Sequence, residues 1–376
     1  MMDTLRPRVS WRRRQFALLV AMSLVAVFVA QGLPTAPATA QKLGGQVNYL
    51  GWEGYDDKAA FKPMTDQGVV FNTTYIGNND ELIAKFKAGG AGAYDVGNIN
   101  SRYLGPMVKQ GMIMPLDESK LAQHKNLFRA FKDFGRVDGK LYTVPVFFGF
   151  TTLCYRTDLV PKPTWDFYKD PKFVGKYGVA PNPLGDIYVW AMVLGKGMDA
   201  RKWTQDDLKQ IKERGMAEFR NAKTLVATPG EQKDLLIRGD VVLTTDCYDA
   251  VAAGAVAQGA KVASVIPPGP RKIWVDMYFI FNGAKNVDAG YAYLNTALSP
   301  QGQATMAKTM ELSVSNQEAY KQLPADLVKK LGYDQANELI AGSEFNILPD
   351  PDAKAPNVSV RDLYTAFDEI KAAVKK

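Results

Sequence analysis

Histidine is almost absent from this chain: one residue, His124, stands among 376. It lies in the loop-like LAQHKNLF with no second His or Cys nearby, which makes it a poor general base and a poor metal site. Cysteine is nearly as scarce, with two residues and no CxxC spacing, so thiolate metal binding is excluded. No GxSxG, HExxH or Walker A motif occurs, and no GxGxxG joins a strand to a helix. Gly89-Gly90-Ala91-Gly92 ends a helical pattern rather than opening one, so it does not form a phosphate cradle. Arg238-Gly239-Asp240 reads as a helix-to-strand turn. The chain lacks the machinery of a hydrolase or nucleotide enzyme, and neither a cofactor nor a metal is expected.

Long apolar runs are also missing, with one exception near the N-terminus. Arg12, Arg13 and Arg14 precede an apolar stretch from Phe16 to Ala30, and Ala38-Thr39-Ala40 supplies small residues at the spacing of a signal-peptidase site. The stretch is shorter than the roughly 18 to 20 residues that span a bilayer, so residues 1–40 read as a cleaved export signal. SWRRRQFALL resembles a twin-arginine signal through Arg13, Arg14 and Phe16 but lacks the Lys that follows the apolar pair. Folded export and the general route both stay open. No Cys near Ala40 offers a lipid anchor. The signal holds five Arg and one Asp, leaving 41 basic and 38 acidic residues, so the net charge falls from +7 to +3. The basic excess is a targeting effect, and no Lys/Arg cluster with interleaved aromatics remains for nucleic acid.

What is present is an α/β alternation. QVNYLGW and VVFNTTYI read as strands, and Asn78 with Glu81 caps a helix that Gly89-Gly90 stops. YDVGNI is a short buried strand. The order implies a largely parallel sheet. LYTVPVFFGFTTLCYR is a long extended run that looks like a crossing between two domains, and KIWVDMYFIFNG, after the breaker string Pro267 to Pro270, reads as the return. Two crossings imply discontinuous domains: residues 44–147 with 277–316, and residues 148–276 with 317–376. Thr204 with Asp207 caps a helix to Arg220, and Ser359 opens a C-terminal helix with Leu363, Phe367, Ile370 and Val374 on one face. Cys154 and Cys247 sit in strand-like runs. The expectation is two separate buried thiols, with a disulfide as the alternative, since pairing needs close and oriented Cβ atoms.

In KIWVDMYFIF, strand alternation puts Ile273, Val275, Met277, Phe279 and Phe281 on one face and Trp274, Asp276 and Tyr278 on the other. The first face is core. A buried carboxylate requires a partner, so Asp276 either joins a Lys or Arg in a structural ion pair, with Trp274 filling core, or meets a ligand cation. Other aromatic and acidic residues flank turns: Trp52, Glu53 and Tyr55 after the first strand, Asp186 and Tyr188 at a helix start, Asp246 and Tyr248 after VVLTT. Ligand groups in parallel sheets gather at the carboxyl ends of strands. Aromatic faces with carboxylates suit an organic cation.

The succession GWEGYDD, NNDELIAKFKAGGAGAYDV, QGMIMPLDESKL, KLYTVPVFFGFTTLCYR, RGDVVL and IWVDMYFIFNGAKN resembles the periplasmic spermidine/putrescine-binding proteins of ABC importers, from about Gln46 to about Asn316. The resemblance implies a two-lobed type II periplasmic-binding fold, each lobe a mixed sheet flanked by helices, joined by two crossing hinge strands. It also implies a monomer that offers a closed, ligand-bound form to an inner-membrane permease. Carried over by position, the ligand residues are Trp52, Glu53 and Tyr55, the hinge-strand pair Trp274 and Asp276, and Asp186 of the second lobe. Asn100-Ser101-Arg102 stands where the family has Ser or Thr and then Tyr, Asp246 stands where it has Trp, with Tyr248 beside it, and Leu312 replaces a Tyr. Arg102 would repel a polyamine, so it either points away or meets a carboxylate on the ligand. The expected function is a solute receptor for a polyamine or related cation, with an amino-acid-like or carboxylate solute held through Arg102 as the alternative and a hydrolase disfavoured.

Overall fold

In a computed structural model, residues 44–330, 338, 340 and 343–373 are described; the export signal read over residues 1–40 and Val374 of the C-terminal helix lie outside them. Strands run in chain order β1 (Gly45–Gly51), β2 (Val69–Tyr75), β3 (Val96–Asn100), β4 (Arg136–Val137), β5 (Lys140–Leu141), β6 (Val144–Phe150), β7 (Thr152–Arg156), β8 (Tyr177–Val179), β9 (Thr224–Leu225), β10 (Leu243–Cys247), β11 (Val262–Val265), β12 (Arg271–Ile280), β13 (Ser313–Val314) and β14 (Ser343–Phe345). The helices used below are α1 (Asn79–Gly89), α2 (Pro183–Val193), α3 (Gln205–Arg220) and α4 (Val360–Ala372).

The strands form two larger sheets, one ordered β13-β6-β12-β3-β1-β2 with β14 also on β12, the other ordered β11-β7-β10-β8-β9. Both are mixed rather than largely parallel. The β1–β2, β1–β3, β8–β9 and β8–β10 pairs are parallel as β-α-β alternation requires. Antiparallel pairing enters with the long strands: β12 on β3 and β6, and β7 on β10 and β11. β6 and β7 are separated by Thr151 alone, yet they belong to different sheets, so the run FFGFTTLCYR carries the chain from one sheet to the other. β12 pairs with the first sheet from its first residue to its last. The return from β11 therefore falls in the proline-rich link before β12.

Local signals hold where they were read. Asn78 Oδ1 accepts from the Glu81 amide at 2.9 Å, and reciprocal capping boxes start α3 and α4 at Thr204/Asp207 and Ser359/Asp362. Leu363, Phe367 and Ile370 of α4 are buried. Phe367 stacks on Trp190 of α2 at 6.3 Å between ring centroids, which ties the C-terminal helix to α2 and α3.

Cys154 and Cys247 form a disulfide, which corrects the expectation of separate thiols. β7 and β10 are antiparallel neighbours, with Thr244 opposite Cys154 and a register shift before Cys247. The two Cα atoms come to 5.7 Å, inside the range that a disulfide spans. Strand neighbourhood across a separation of 93 residues is a property of the sheet order, which local patterning does not carry.

Candidate ligand-binding site

The polar face of β12 carries Lys272, Trp274 and Asp276 at the two-residue period, while Ile273, Val275 and Met277 are fully buried on the other. Asp276 forms no ion pair among the described residues. Its Oδ2 accepts from the Tyr55 hydroxyl at 2.6 Å and its Oδ1 from Asn100 Nδ2 at 3.2 Å. Asn100 is brought there by β3, which places it directly opposite Asp276 in the antiparallel register. Burial raises the Asp276 pKa above the usual carboxylate range, while the Tyr55 and Asn100 hydrogen bonds and the Arg102 charge oppose that rise. Burial, followed by the Asp276 charge, pushes the Tyr55 phenol well up, so it stays a donor.

Arg102 follows β3 in a single 3-10 turn, and its Nε donates to Asn100 Oδ1 at 3.0 Å. Trp52, just past β1, is fixed through its backbone amide, which donates to Asn98 Oδ1 at 2.9 Å. The second sheet contributes from the ends of β8 and β10. Asn182 caps α2 by accepting from the Gly185 amide, and its Nδ2 donates to Asp246 Oδ2 at 2.8 Å. Asp246 has φ 42°, a left-handed conformation uncommon for a non-glycine residue, though Asp tolerates it better than most.

These groups enclose a cavity of about 290 Å³ that takes residues from both sheets. Of the residues read from the sequence, Trp52, Asn100, Arg102, Asp246, Tyr248, Trp274 and Asp276 line it. Three do not. Glu53 is exposed to solvent and outside the wall, because the turn after β1 aims it away. Tyr55 stands behind Asp276 as its donor. Asp186 is buried behind Asn182, accepting its backbone N–H at 3.0 Å; burial, then the nearby Asp246 charge, raises its pKa well above the usual range and favours the neutral acid.

Sequence reasoning missed Asn78, Asn79, Asn182 and Lys272, which complete the wall. The asparagines are legible as helix-start residues but not as ligand groups. Lys272 had a signal, since it extends the alternation of Trp274 and Asp276 by one step. It is 2% exposed, its Nζ donates to Thr151 Oγ1 at 3.0 Å, and burial, reinforced by Arg102 and opposed by Asp246 and Asp186, lowers its pKa to about 8.

Trp274 and Tyr248 also border a second, more apolar cavity of about 380 Å³ with Phe148, Phe150 and Leu312. Gly149 is required beneath the indole, since a Cβ there would come within 2.2 Å of Trp274 Cζ2. A larger cavity, about 680 Å³, shares only Arg102 with the residues read from the sequence, and its Lys109 and Arg136 are neutralised by Asp350 and Glu118. The mixed-charge cavity beside β12 is therefore the candidate site.

Comparison with known proteins identifies the family and the fold. The chain is 23% identical over 373 residues to spermidine/putrescine-binding periplasmic protein 1 of Haemophilus influenzae, covering 96% of this chain and 99% of that one. It is 25% identical over 316 residues to the spermidine/putrescine-binding periplasmic protein of Escherichia coli, covering 79% and 86%. The crystal structure of a spermidine/putrescine ABC transporter substrate-binding protein from Streptococcus pneumoniae superposes with a TM-score of 0.72 at 19% identity, covering 88% of this chain and all of that one. The two-sheet α/β architecture is thus that of the type II periplasmic-binding proteins. The family described as bacterial extracellular solute-binding protein matches residues 58–331, and the chain belongs to that family.

Proposed function

We propose that this protein is the periplasmic solute-binding component of an ABC importer and holds an organic amine of the polyamine class between its two sheets. It is a binding protein rather than an enzyme. The observation that carries this reading is the placement of Trp274 and Asp276 on one face of β12, at a cavity that also takes Asp246 and Tyr248 from the far sheet. An indole and a carboxylate together bind an ammonium and its methylenes. A solute touching both sheets favours the closed form by its differential affinity, and that form is what a membrane permease would select. The two lobes proposed for this monomer are discontinuous, divided between β6 and β7 near residue 150 and, because β12 pairs throughout with the first sheet, in the link before β12 rather than at residue 276.

No described helix is long and apolar enough to cross a membrane. Export by the twin-arginine route is tested by replacing Arg13 and Arg14 with Lys: precursor should accumulate in the cytoplasm, and an unchanged periplasmic yield would assign the general route.

One observation favours a second reading of the same site, an amino-acid-like or carboxylate solute held through Arg102. The terminal guanidinium nitrogens of Arg102 have no acceptor among the described residues, although the side chain lines the cavity. Native mass spectrometry of freshly purified protein, followed by calorimetry with the released compound, tests both readings. Turnover of the captured solute would overturn the receptor assignment.

A further inference from the structure

We propose that the cavity beside β12 is matched to a solute bearing one ammonium and one carboxylate, with Lys272 and Arg102 receiving the carboxylate and Asp276 the ammonium. This rests on the reading of that cavity as the solute site and, of its two ligand classes, takes the amino-acid-like solute in place of the polyamine.

The first argument is charge. The charged side chains in the wall are Arg102, Lys272, Asp246 and Asp276, two of each sign, and Asp186 is not part of it. Such a wall offers a dication no net attraction to offset its loss of water. A zwitterion enters without net charge and can face each sign with its opposite.

The second argument is hydrogen-bond capacity. The Lys272 ammonium has three donors and is 2% exposed, yet Thr151 Oγ1 is its one acceptor and no carboxylate pairs with it among the described residues. Arg102 spends only Nε and its backbone amide, both on Asn100. The cavity thus presents unused cationic donors on one part of its wall. Asp276, by contrast, already receives one hydrogen bond on each oxygen and retains lone pairs for one more cation. A polyamine brings donors alone, so it would add like charge beside Lys272 and Arg102 and satisfy neither. A carboxylate satisfies both, and a guanidinium with an ammonium nearby is a strong receptor for it. A buried lysine on the polar face of β12, near Asp246 and Asp186 but within ion-pair distance of no carboxylate among the described residues, is accounted for if a closer partner arrives with the ligand.

The test is calorimetry of the mature protein, stripped of endogenous solute, against pairs that differ at one end: γ-aminobutyrate with putrescine, and δ-aminovalerate with cadaverine. The wild type should bind the better amino acid at least about tenfold more tightly than its diamine, a difference of about 1.4 kcal/mol. Lys272→Met, which keeps the apolar stem, should lose that preference or invert it, and Arg102→Gln should weaken the amino acid selectively. Thermal melts confirm that each variant is folded. A diamine preferred by the wild type, or a ranking untouched by Lys272→Met and Arg102→Gln, overturns the inference; if Asp276→Asn still weakens binding, the cavity remains the solute site. Binding indifferent to Asp276→Asn as well as to the other two variants overturns the site itself. Failure of both amino acids to bind also overturns the proposed ligand class.

Discussion

The Tyr55 hydroxyl donates to Asp276 Oδ2 at 2.6 Å, joining residues 221 positions apart and fixing the carboxylate from behind while its open side lines the cavity. The Tyr278 hydroxyl in turn donates to the Tyr55 carbonyl, as does that of Tyr293 at 3.1 Å. The turn after β1 is thereby held to β12, and Asp276 is oriented before any ligand arrives.

Asp276→Asn should therefore fold normally, because the burial that raises the carboxylate pKa makes a neutral amide inexpensive there. Loss of a charge-assisted contact of about 1.5 to 3 kcal/mol should lower affinity for an amine ligand by roughly ten- to a hundredfold. Calorimetry paired with thermal melts checks this. A variant that melts well below the parent but binds normally would assign Asp276 a purely structural role.

Gly149→Ala tests the platform of the indole. The added methyl would fall within 2.2 Å of Trp274 Cζ2, so the ring must move. Overpacking of this kind costs about 1–3 kcal/mol, and the displaced indole should also weaken ligand binding. Tryptophan fluorescence in the presence of ligand, compared with the parent, follows the displacement; an unchanged spectrum and affinity would contradict it.

The disulfide closes a loop between residues 93 apart. Replacing Cys154 and Cys247 by Ala should cost about 2–4 kcal/mol, measured by urea denaturation. Alkylation of the unreduced, denatured protein should label neither cysteine, and labelling of both would refute the bridge.

A pH effect should come from Glu218, which is buried beside Arg214 and accepts from Trp190 Nε1 at 3.0 Å. Burial raises its pKa to about 7, with Arg214 and the Trp190 hydrogen bond opposing. Between the ordinary carboxylate pKa and 7 the folded state binds more protons than the unfolded state, so the group's contribution to stability falls as pH rises through that window. Glu218→Gln keeps an acceptor for Trp190 and should flatten the stability profile between about pH 4.5 and 7. Denaturation curves across that range that stay parallel for parent and variant would show that Glu218 does not titrate there.

Local pattern determined a good deal of this protein by itself. The two-residue alternation of β12 placed Trp274 and Asp276 together on the polar face, and side-chain caps at Asn78, Thr204 and Ser359 marked helix starts, because strand period and end capping depend on a few neighbouring residues. Tertiary structure decided which distant residues share a wall. It set Asn182 and Asp246 opposite Asp276, sent Glu53 to solvent and Tyr55 behind the carboxylate, and brought Cys154 to Cys247. It also turned Lys272 from one more strand residue into a buried cation at the cavity, since burial and unfilled hydrogen bonds arise only when two sheets meet around a side chain, and no local spacing encodes that meeting.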